Sequence, residues 1–523
     1  MKTVLLVVAT VVALLCRFRG ALADGSKSYK GAVVTFTPVG DPSSSAASNL
    51  DLNLLGIEEV IQDKLIDGGG GDDDIVVLPE LVFYYVGLER ALRDGKDALR
   101  EYALALSPLG TNPCLSRHVW QGKQNGEFLS RLSCTARTLG SYLVANVLEV
   151  VVEAEGEEKY KLFNTDVAFD RSGALVAKYW KWHTFGLDSL IDEPDAKERS
   201  PSSFETDFGV TFGLFICFDI EFENPTQVLL DRGVSHFAYS SAWVNNPPFG
   251  FATEIQQGWS RATGAALLAA NIGTDPSRSG SGIFFEGKEL ASDFDVNSAR
   301  ADRIISAEIP KRVGQRRPAD EGYDGPLSSE ASGVDHLALD GQSQTCTLDF
   351  LAGVALNASC VPMEDSEGPA KYTLAGDDLE CSLTVANSTF GSESFGVPTL
   401  VAFSEIIRFP GTVEAVNYKG CILLLCSDFP RCSSPHWHAL GKLGSAEIIG
   451  TFDGVSQRAI PLFSGVDEEK QNVFSREVGQ YSTGQGRGGS QTIVRVANVE
   501  DRGGTSTLNF GIISVKEEHK NSF

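Results

Sequence analysis

The chain has far fewer cations than acids, and this deficit excludes a class of function. Its 523 residues include 44 lysines and arginines but 69 aspartates and glutamates, for a formal net charge of −25. An acidic exterior repels phosphate backbones, so we expect no nucleic-acid partner. Long apolar runs are missing after the N-terminus, and residues 515–523 lack the hydrophobic tail of a GPI signal. We therefore expect a free soluble protein with no membrane anchor.

The N-terminus carries an apolar run at residues 4–15, behind the cation Lys2 and ahead of an Ala-Leu-Ala site at 21–23. This order is typical of a cleaved secretory signal. A membrane anchor is the alternative, but about a dozen apolar residues fall short of the roughly 20 that span a bilayer. Cleavage after residue 23 would remove three cations and no acid, taking the net charge to −28. The sequence predicts a signal peptide at 1–23 and a protein that is secreted, or resides in the lumen of the secretory pathway.

The ten cysteines include no CxxC pair, which disfavours a zinc site. One cysteine lies in the signal segment. If Cys217 is a free thiol, an even number remains, which suits disulfide bonds in an oxidising compartment. The candidates are Cys114, Cys134, Cys346, Cys360, Cys381, Cys421, Cys426 and Cys432. Zinc is the alternative for the last six, whose pairing the sequence leaves open; we expect no metal.

Strand-like and helix-like patterns alternate through the first half of the chain. Short β-branched runs predict strands, and apolar residues at helical spacing predict helices. Strands are expected at 31–36, 141–152 and 234–240, in a hairpin over 163–179 that turns at 171–173, and through 271–282; helices are expected at 50–66, 84–106, 223–232 and 251–268. This alternation indicates an α/β layer architecture.

A stretch rich in Gly, Pro, Ser and Asp at 313–343 predicts a domain boundary. Beyond it, short β-rich runs alternate with Gly, Ser and Pro, and helical periodicity is scarce. We expect a first domain at 24–315, a linker at 316–343 and a smaller, mostly β domain with disulfides at 344–523. Asn357 and Asn387 begin glycosylation sequons in this last domain.

Three strand-like segments deliver side chains that together suit amide chemistry. Apolar runs lead into Glu80, into Lys181 and into Cys217. A thiol can attack a carbonyl, a carboxylate can take and return a proton, and an ammonium can stabilise charge on sulfur and on an oxyanion. Taken alone, Cys217 also fits a core cysteine, a frequent place for free thiols. The three groups together favour a nucleophile.

The contexts of these residues resemble the nitrilase (carbon–nitrogen hydrolase) superfamily, and within it the vanin and biotinidase branch of secreted pantetheinases and biotinidases. The matching stretches lie, in the family's order, at 164–167, 178–181, 217–220, 242–245, 270–272 and 280–283. The resemblance implies a nitrilase-like four-layer α-β-β-α sandwich in the first domain. It continues more faintly at 421–426, which implies a vanin-type second domain, and it implies that Cys114 pairs with Cys134.

The resemblance also implies roles for the three residues. Cys217 would be the nucleophile, Glu80 the general base and acid, and Lys181 the stabiliser of the thiolate and the oxyanion, helped by the backbone N–H of Phe218. The implied activity is hydrolysis of a linear, non-peptide amide such as pantetheine or a biotin amide, through a thioester acyl-enzyme and without a cofactor. A nearby ammonium is expected to lower the pKa of the thiol.

Aromatic residues near these stretches are candidates for contact with the substrate. Phe218, Trp243 and Tyr179 are predicted to line the pocket, since aromatic side chains supply apolar contact in small-molecule sites. Packing in the core is the alternative for Trp243 and Tyr179. The chain has Pro-Glu-Leu at 79–81 and Tyr-Trp-Lys at 179–181, where the family usually has Pro-Glu-Asp and Tyr-His-Lys. Both departures bear on the shape of the pocket.

Other interpretations of the sequence lead elsewhere. A papain-like pair would join Cys217 to His118, His183 or His236, none of which lies in a protease signature. A G-x-G-x-x-G match at 484–489 lies in a β-rich region with no βαβ unit, which indicates a loop. An amidase that passes its acyl group to an amine, and a catalytically silent binding protein on the same scaffold, are the further alternatives. The sequence leaves the natural amide and the oligomeric state open.

Overall fold

The computed structural model describes residues 26–66, 73–116, 125–152, 159–187, 189–245, 249–274, 278–294, 302–312, 343–349, 354–365, 367–376, 378–390, 396–409, 415–432, 441–443, 445–453, 458–467, 473–475, 480–485, 491–499 and 505–518. The expected signal peptide, nearly all of the expected linker, His118 and most of the G-x-G-x-x-G match lie outside these ranges. Among the described residues, no helix is both long and apolar enough to cross a membrane.

Two six-stranded sheets form the centre of the first domain. Their strands are, in chain order, β1 Ser28–Thr35, β2 Ile75–Val77, β3 Tyr142–Val152, β4 Tyr160–Phe169, β5 Leu175–Trp180, β6 Ser202–Glu205, β7 Thr211–Ile216, β8 His236–Ser241, β9 Ala266–Asn271, β10 Ser281–Phe285, β11 Lys288–Asp293 and β12 Arg303–Pro310. The sheet orders are β12-β1-β2-β3-β4-β5 and β11-β10-β9-β8-β7-β6. The neighbours β1-β2-β3 and β7-β8-β9 run parallel. Because both faces of such strands are covered, their sequences are nearly continuous apolar runs.

Helices cover the outer faces of both sheets and complete four layers. They are Ala46–Ile66, Tyr85–Asp94, Lys96–Arg100, Gly126–Leu139, Thr226–Asp231 and Ala252–Thr263. The first and fourth of these pack together against the first sheet, and the last packs against the second. The sheets meet face to face, with β1 against β9 and β3 against β8. The expected α-β-β-α sandwich is confirmed.

Two local predictions need correction, and one helix was not predicted. The helix expected at 84–106 divides at Gly95, whose φ of 88° no right-handed helix contains. The short helix Lys96–Arg100 follows this break, and beyond it the Leu104 N–H donates to the Leu148 carbonyl in β3. The strand expected through 271–282 is two strands, because β9 ends at Asn271 and the antiparallel β10 begins at Ser281. The helix Gly126–Leu139 was not foreseen.

The described part of the second domain contains strands and no helix. They are β13 Gln344–Asp349, β14 Ala355–Pro362, β15 Ala370–Ala375, β16 Leu379–Ala386, β17 Thr389–Phe390, β18 Val397–Ile407, β19 Ala415–Cys426, β20 Arg431–Cys432, β21 Gly441–Lys442, β22 Ser445–Asp453, β23 Ala459–Asp467, β24 Val473–Ser475, β25 Gln480–Gln485, β26 Gln491–Val499 and β27 Thr505–Glu518. They form a ten-stranded and a five-stranded sheet. Leu423 on β19 faces the core between these sheets, whereas its neighbour Ile422 faces the first domain. The mostly β expectation is confirmed.

The helix Ala252–Thr263 is held between the second sheet and β23 of the second domain. The two backbones approach most closely at Gly258, where an added Cβ would lie 2.2 Å from the Pro461 carbonyl oxygen. Beside this contact, Ser464 Oγ donates to Glu254 Oε1 over 2.6 Å. The Arg458 guanidinium donates to Thr226 and Gln227. The second domain is therefore docked by backbone contact and by buried hydrogen bonds.

Four disulfide bonds join the eight candidate cysteines. Cys114 is bonded to Cys134, the pairing that the resemblance implies, and the others are Cys346–Cys360, Cys381–Cys421 and Cys426–Cys432. The six late cysteines are thus paired in three disulfides, and the expectation of no metal stays a prediction. Cys381–Cys421 ties the two sheets of the second domain together. Asn357 and Asn387 are both exposed, which suits the predicted glycosylation; their modification stays a prediction.

Candidate active site

Cys217 lies on a sharp turn at the carboxyl end of β7. It begins a 3-10 turn, Cys217–Glu221, and its φ is 44°. A positive φ is uncommon for a residue other than glycine, and such strain clusters at functional sites. The thiol is buried and is not part of a disulfide bond. The turn therefore presents a free sulfur at the edge of the sheet, as the sequence predicted.

The carboxylate of Asp219 holds this turn in place. It accepts hydrogen bonds from the backbone N–H groups of Ile216 and His183, both over 3.0 Å, and from the Tyr179 hydroxyl over 2.8 Å. His183 Nδ1 lies 2.7 Å from Asp219 Oδ1. Tyr179 is thus committed to supporting the turn and does not line the cavity beside Cys217. The prediction that Tyr179 contacts the substrate is revised accordingly.

Glu80 and Lys181 form a buried ion pair. Lys181 Nζ donates to Glu80 Oε1 over 2.7 Å, and the two residues are 5% and 2% exposed. Asn164 Nδ2 donates to the same oxygen over 2.7 Å, and the Ala242 N–H donates to Oε2 over 3.0 Å. Glu80 comes just after β2, Lys181 just after β5 and Ala242 just after β8, so strand ends of both sheets converge here. A buried carboxylate with three donors is well compensated.

A second row of polar groups orients Asn164. Asn146 Nδ2 donates to Asn164 Oδ1 over 2.7 Å and to Asp166 Oδ1 over 2.9 Å. The Asn146 carbonyl accepts from the Leu81 N–H and from the Tyr84 hydroxyl, both over 3.0 Å. This fixes the Asn164 amide so that its nitrogen faces Glu80. The sequence indicated Asn164 through the matching stretch at 164–167, but nothing in it indicated Asn146.

The Cys217 thiol lies close enough to Glu80 and Lys181 for both of their charges to act on it. Burial, followed by the Glu80 charge, raises the pKa of Cys217 to about 12, although Lys181 opposes the shift. Lys181 therefore lowers the thiol pKa, as expected, but burial and the Glu80 charge outweigh its contribution and the net shift is upward. Burial lowers the pKa of Lys181, but the charge and the hydrogen bond of Glu80 oppose this, and the pKa is held above its ordinary value. The site rests with a protonated thiol beside a charged pair.

The remaining candidates divide between the cavity and the core. Phe218 and Trp243 line the cavity next to Cys217, and Trp243 Nε1 donates to the Gly250 carbonyl over 2.8 Å. His236 bonds to the Pro310 carbonyl, and burial lowers its pKa to about 4. With His183 turned to Asp219, neither described histidine of the papain-like alternative pairs with the thiol; His118 lies outside the described residues.

The two departures from the family pattern lie away from the cavity lining. Trp180 stacks on Phe163 at 4.2 Å between ring centroids and donates to Glu149. Leu81 has a φ of 66°, a conformation that asparagine and aspartate adopt more readily than leucine. Its N–H is fixed by Asn146, and neither Leu81 nor Trp180 borders the cavity.

Comparison with known proteins agrees with this geometry. The family profile described as "Carbon-nitrogen hydrolase" matches residues 43–266. Human "Pantetheinase" is 30% identical over 438 residues, covering 80% of this chain and 76% of that protein. The chain belongs to the vanin and biotinidase branch of the carbon–nitrogen hydrolase family.

Other members of this branch align over shorter stretches. "Vanin-like protein 2" of Drosophila melanogaster is 34% identical over 55% of this chain, and "Biotinidase" of Takifugu rubripes is 34% identical over 47%. The chain spans about half of the length of these two relatives, 53% and 48%. Among solved structures, an amidase from Nesterenkonia sp. is 19% identical, with a TM-score of 0.38 over 57% of this chain and 97% of that one.

Proposed function

We propose that this protein is an amidase that hydrolyses a linear, non-peptide carboxamide through a thioester on Cys217. The observation that carries the proposal is the buried Glu80–Lys181 ion pair beside a free thiol on a strained turn. Membership of a family that includes proteins named pantetheinase and biotinidase supports pantetheine-like or biotin-amide-like substrates. No described residue of the site requires a metal or an organic cofactor for this chemistry.

The proposed reaction begins with proton transfer from the Cys217 thiol to Glu80 as sulfur attacks the amide carbon. A new C–S bond forms, and the carbonyl electron pair moves to oxygen. Lys181 and the backbone N–H of Phe218 stabilise this oxyanion; N–H groups in the first turn of a 3-10 helix have no partner within that helix. One such donor is typically worth about 3 kcal/mol. Because the resting thiol is protonated, transfer to Glu80 accompanies attack.

Release of the amine uses the proton that Glu80 took from the thiol. Glu80 gives it to the departing amine as the C–N bond breaks, leaving the acyl group on sulfur. Glu80 then removes a proton from water as the water oxygen attacks the thioester carbon. When the C–S bond breaks, Glu80 returns that proton to sulfur, and the carboxylic acid and the resting thiol are released. The expected kinetics are ping-pong with a covalent intermediate.

The test is to incubate the purified protein with pantetheine and with biotinyl-lysine, and to measure the acid and amine released. We expect release of both products, and we expect it to require the Cys217 thiol. Cys217→Ala is therefore the matched inactive control. A parallel reaction with an added amine separates hydrolysis from acyl transfer. Absence of turnover across these and a wider amide panel would favour a silent binding protein.

We also propose that the protein is secreted and that its domains are those expected at 24–315 and 344–523. The signal-like N-terminus and the four disulfides support an oxidising compartment. The sandwich strands end at Pro310, and the second domain begins with β13 at Gln344, which supports the boundary. Detection of the protein in culture medium, with a mature N-terminus near residue 24, is the expected outcome of N-terminal sequencing.

A further inference from the structure

The cavity beside Cys217 is built by both domains. It has a volume of about 40 Å³, enough for about three water molecules. Most of its wall is apolar and comes from the first domain, with Phe185, Phe249 and Ile255 among the lining residues. Tyr418 on β19 and Ile513 on β27 complete the wall from the second domain. The second domain therefore contributes directly to the space that a bound substrate would occupy.

Glu221 is the carboxyl group in this otherwise apolar wall. It ends the turn that Cys217 begins, it is 6% exposed, and its Oε2 accepts a hydrogen bond from the Tyr418 hydroxyl. Among the described residues, Glu221 forms no ion pair and makes no second side-chain hydrogen bond. Burial raises the pKa of Glu221 to about 8. A carboxyl group with a single donor is costly to bury, which calls for a compensating partner.

The proposed hydrolysis does not use this group. Glu80 supplies the acid and base, whereas Glu221 borders the cavity and does not contact the Cys217 thiol through any described hydrogen bond. The leaving amine must lie within reach of Glu80, which does not border the cavity. The part of the amide inside the cavity is therefore the acyl part, which stays on sulfur in the thioester.

We propose that Glu221 and Tyr418 select the substrate by binding a neutral hydroxyl or amide N–H group carried on its acyl part. This inference rests on the proposed amidase function and names the substrate class. The carboxyl and hydroxyl oxygens offer hydrogen-bond acceptors at one end of an apolar passage, so an acyl chain with a polar donor beyond a short apolar stretch fits it. Specificity then depends on contact between the domains, because each domain supplies one member of the pair.

The test compares three primary amides of equal chain length that end in a hydroxyl, a methyl or an ammonium group. The wild-type kcat/KM for the hydroxyl-ended amide should exceed that for the methyl-ended amide by at least about 10-fold, as one hydrogen bond to a buried acceptor allows. Tyr418→Phe, which removes one oxygen atom, should bring this ratio toward one, and Glu221→Gln should also lower it. The ammonium-ended amide should be the poorest of the three.

Ser464→Ala is the matched control. It also removes a hydroxyl of the second domain that donates to a buried glutamate of the first domain, but it does so outside the cavity. It should leave the ratio of the two kcat/KM values unchanged. Melting temperatures show whether each variant folds, and a ratio that falls equally in Ser464→Ala and Tyr418→Phe would overturn the inference. So would a wild-type preference for the methyl-ended or the ammonium-ended amide.

Failure of the amidase proposal is distinguishable from failure of this inference. If the wild-type protein hydrolyses no amide, calorimetric titration with the three corresponding carboxylic acids replaces the kinetic ratio. Tighter binding of the hydroxyl-ended acid that is lost in Tyr418→Phe would support the inference. Equal binding of the hydroxyl-ended and methyl-ended acids by the wild-type protein would contradict it.

Discussion

Two buried glutamates lie near Cys217, and the donors that stabilise them differ in number and in the domain that supplies them. Glu80 is matched by one ammonium and by N–H donors from Asn164 and Ala242, all contributed by the first domain. Within the described part of the chain, Glu221 has one side-chain donor, the Tyr418 hydroxyl, contributed by the second domain. Full compensation keeps Glu80 ready for proton transfer in one fixed position. Partial compensation leaves Glu221 able to accept a group from a ligand, so the comparison separates chemistry from recognition.

The largest effect should come from removing the group that reacts. Cys217→Ala and Cys217→Ser should abolish turnover of any amide, because no other described side chain offers a nucleophile at the turn. Neither change adds volume, and both replace a residue that already adopts a φ of 44°. Circular dichroism should therefore show an unchanged fold. Turnover by either variant would exclude the thioester mechanism.

Breaking the Glu80–Lys181 ion pair should have the next largest effect. Lys181→Ala should lower kcat by at least about 100-fold, since it removes an oxyanion donor. It also leaves Glu80 buried without its cation, which costs about 3–5 kcal/mol of folding stability, so activity is measured well below the melting temperature.

Lys178→Ala is the matched control for this lysine. Lys178 lies three positions earlier, and its Nζ also donates to a buried glutamate, Glu149, over 2.7 Å, but away from Cys217. It should leave kcat nearly unchanged. A kcat for Lys181→Ala close to that of Lys178→Ala would remove Lys181 from the mechanism.

A smaller effect should follow from disturbing the contact between the domains. In Gly258→Ala, the new Cβ would meet the Pro461 carbonyl, so the helix and β23 must separate. Overpacking of this kind costs about 1–3 kcal/mol. In Gly368→Ala, the matched control, the Cβ meets nothing within 4 Å. Chemical denaturation should give Gly258→Ala a lower free energy of unfolding than Gly368→Ala. Equal values for the two variants would show that the backbones at Gly258 and Pro461 are not in close contact.

The smallest expected effect is on the pH dependence of stability. Burial raises the pKa of Asp166 and of Glu221 to about 8 and that of Glu254 to about 7. The folded protein therefore binds more protons than the unfolded chain from about pH 4 to about pH 8, and its stability falls as pH rises through that window. His236, with a pKa lowered by burial to about 4, acts in the opposite sense only below about pH 6.5.

The measurement is the melting temperature between about pH 6.5 and about pH 8, above the range in which His236 acts and below the ordinary pKa of the Cys217 thiol. It should fall across this range in the wild-type protein. The fall should be shallower in Glu221→Gln, which keeps an acceptor for Tyr418 and cannot ionise. A fall of equal size in both proteins would show that Glu221 does not ionise there.

The sequence indicated which three residues lie together in the site better than it indicated which residues surround them. Glu80, Lys181 and Cys217 each follow a strand-like run, and strand ends of packed sheets meet at one edge, so local pattern and family resemblance were sufficient. Tyr418 and Ile513 carried no such signal, because they reach the cavity only through the docking of a second domain. The role of Asp219 was also hidden, since it depends on where folding places Tyr179 and His183.

The same distinction explains the errors in secondary structure. The apolar spacing of 84–106 suits one helix, but the backbone at Gly95 interrupts it, and Leu104 is recruited by β3 instead. The apolar face of the helix Gly126–Leu139 packs against the helix Ala46–Ile66 and the first sheet. These partners are distant in sequence, so a short stretch of sequence does not reveal them. Periodicity records which face is apolar, and tertiary packing decides where the element ends.

The most direct test of the central claim is intact-mass and peptide mass spectrometry of the protein quenched in acid during turnover of pantetheine. We expect an added acyl mass on the wild-type peptide that contains Cys217. The corresponding peptide of Cys217→Ala should carry no added mass. Turnover without an adduct at Cys217, or an adduct on another residue that persists in Cys217→Ala, would contradict it.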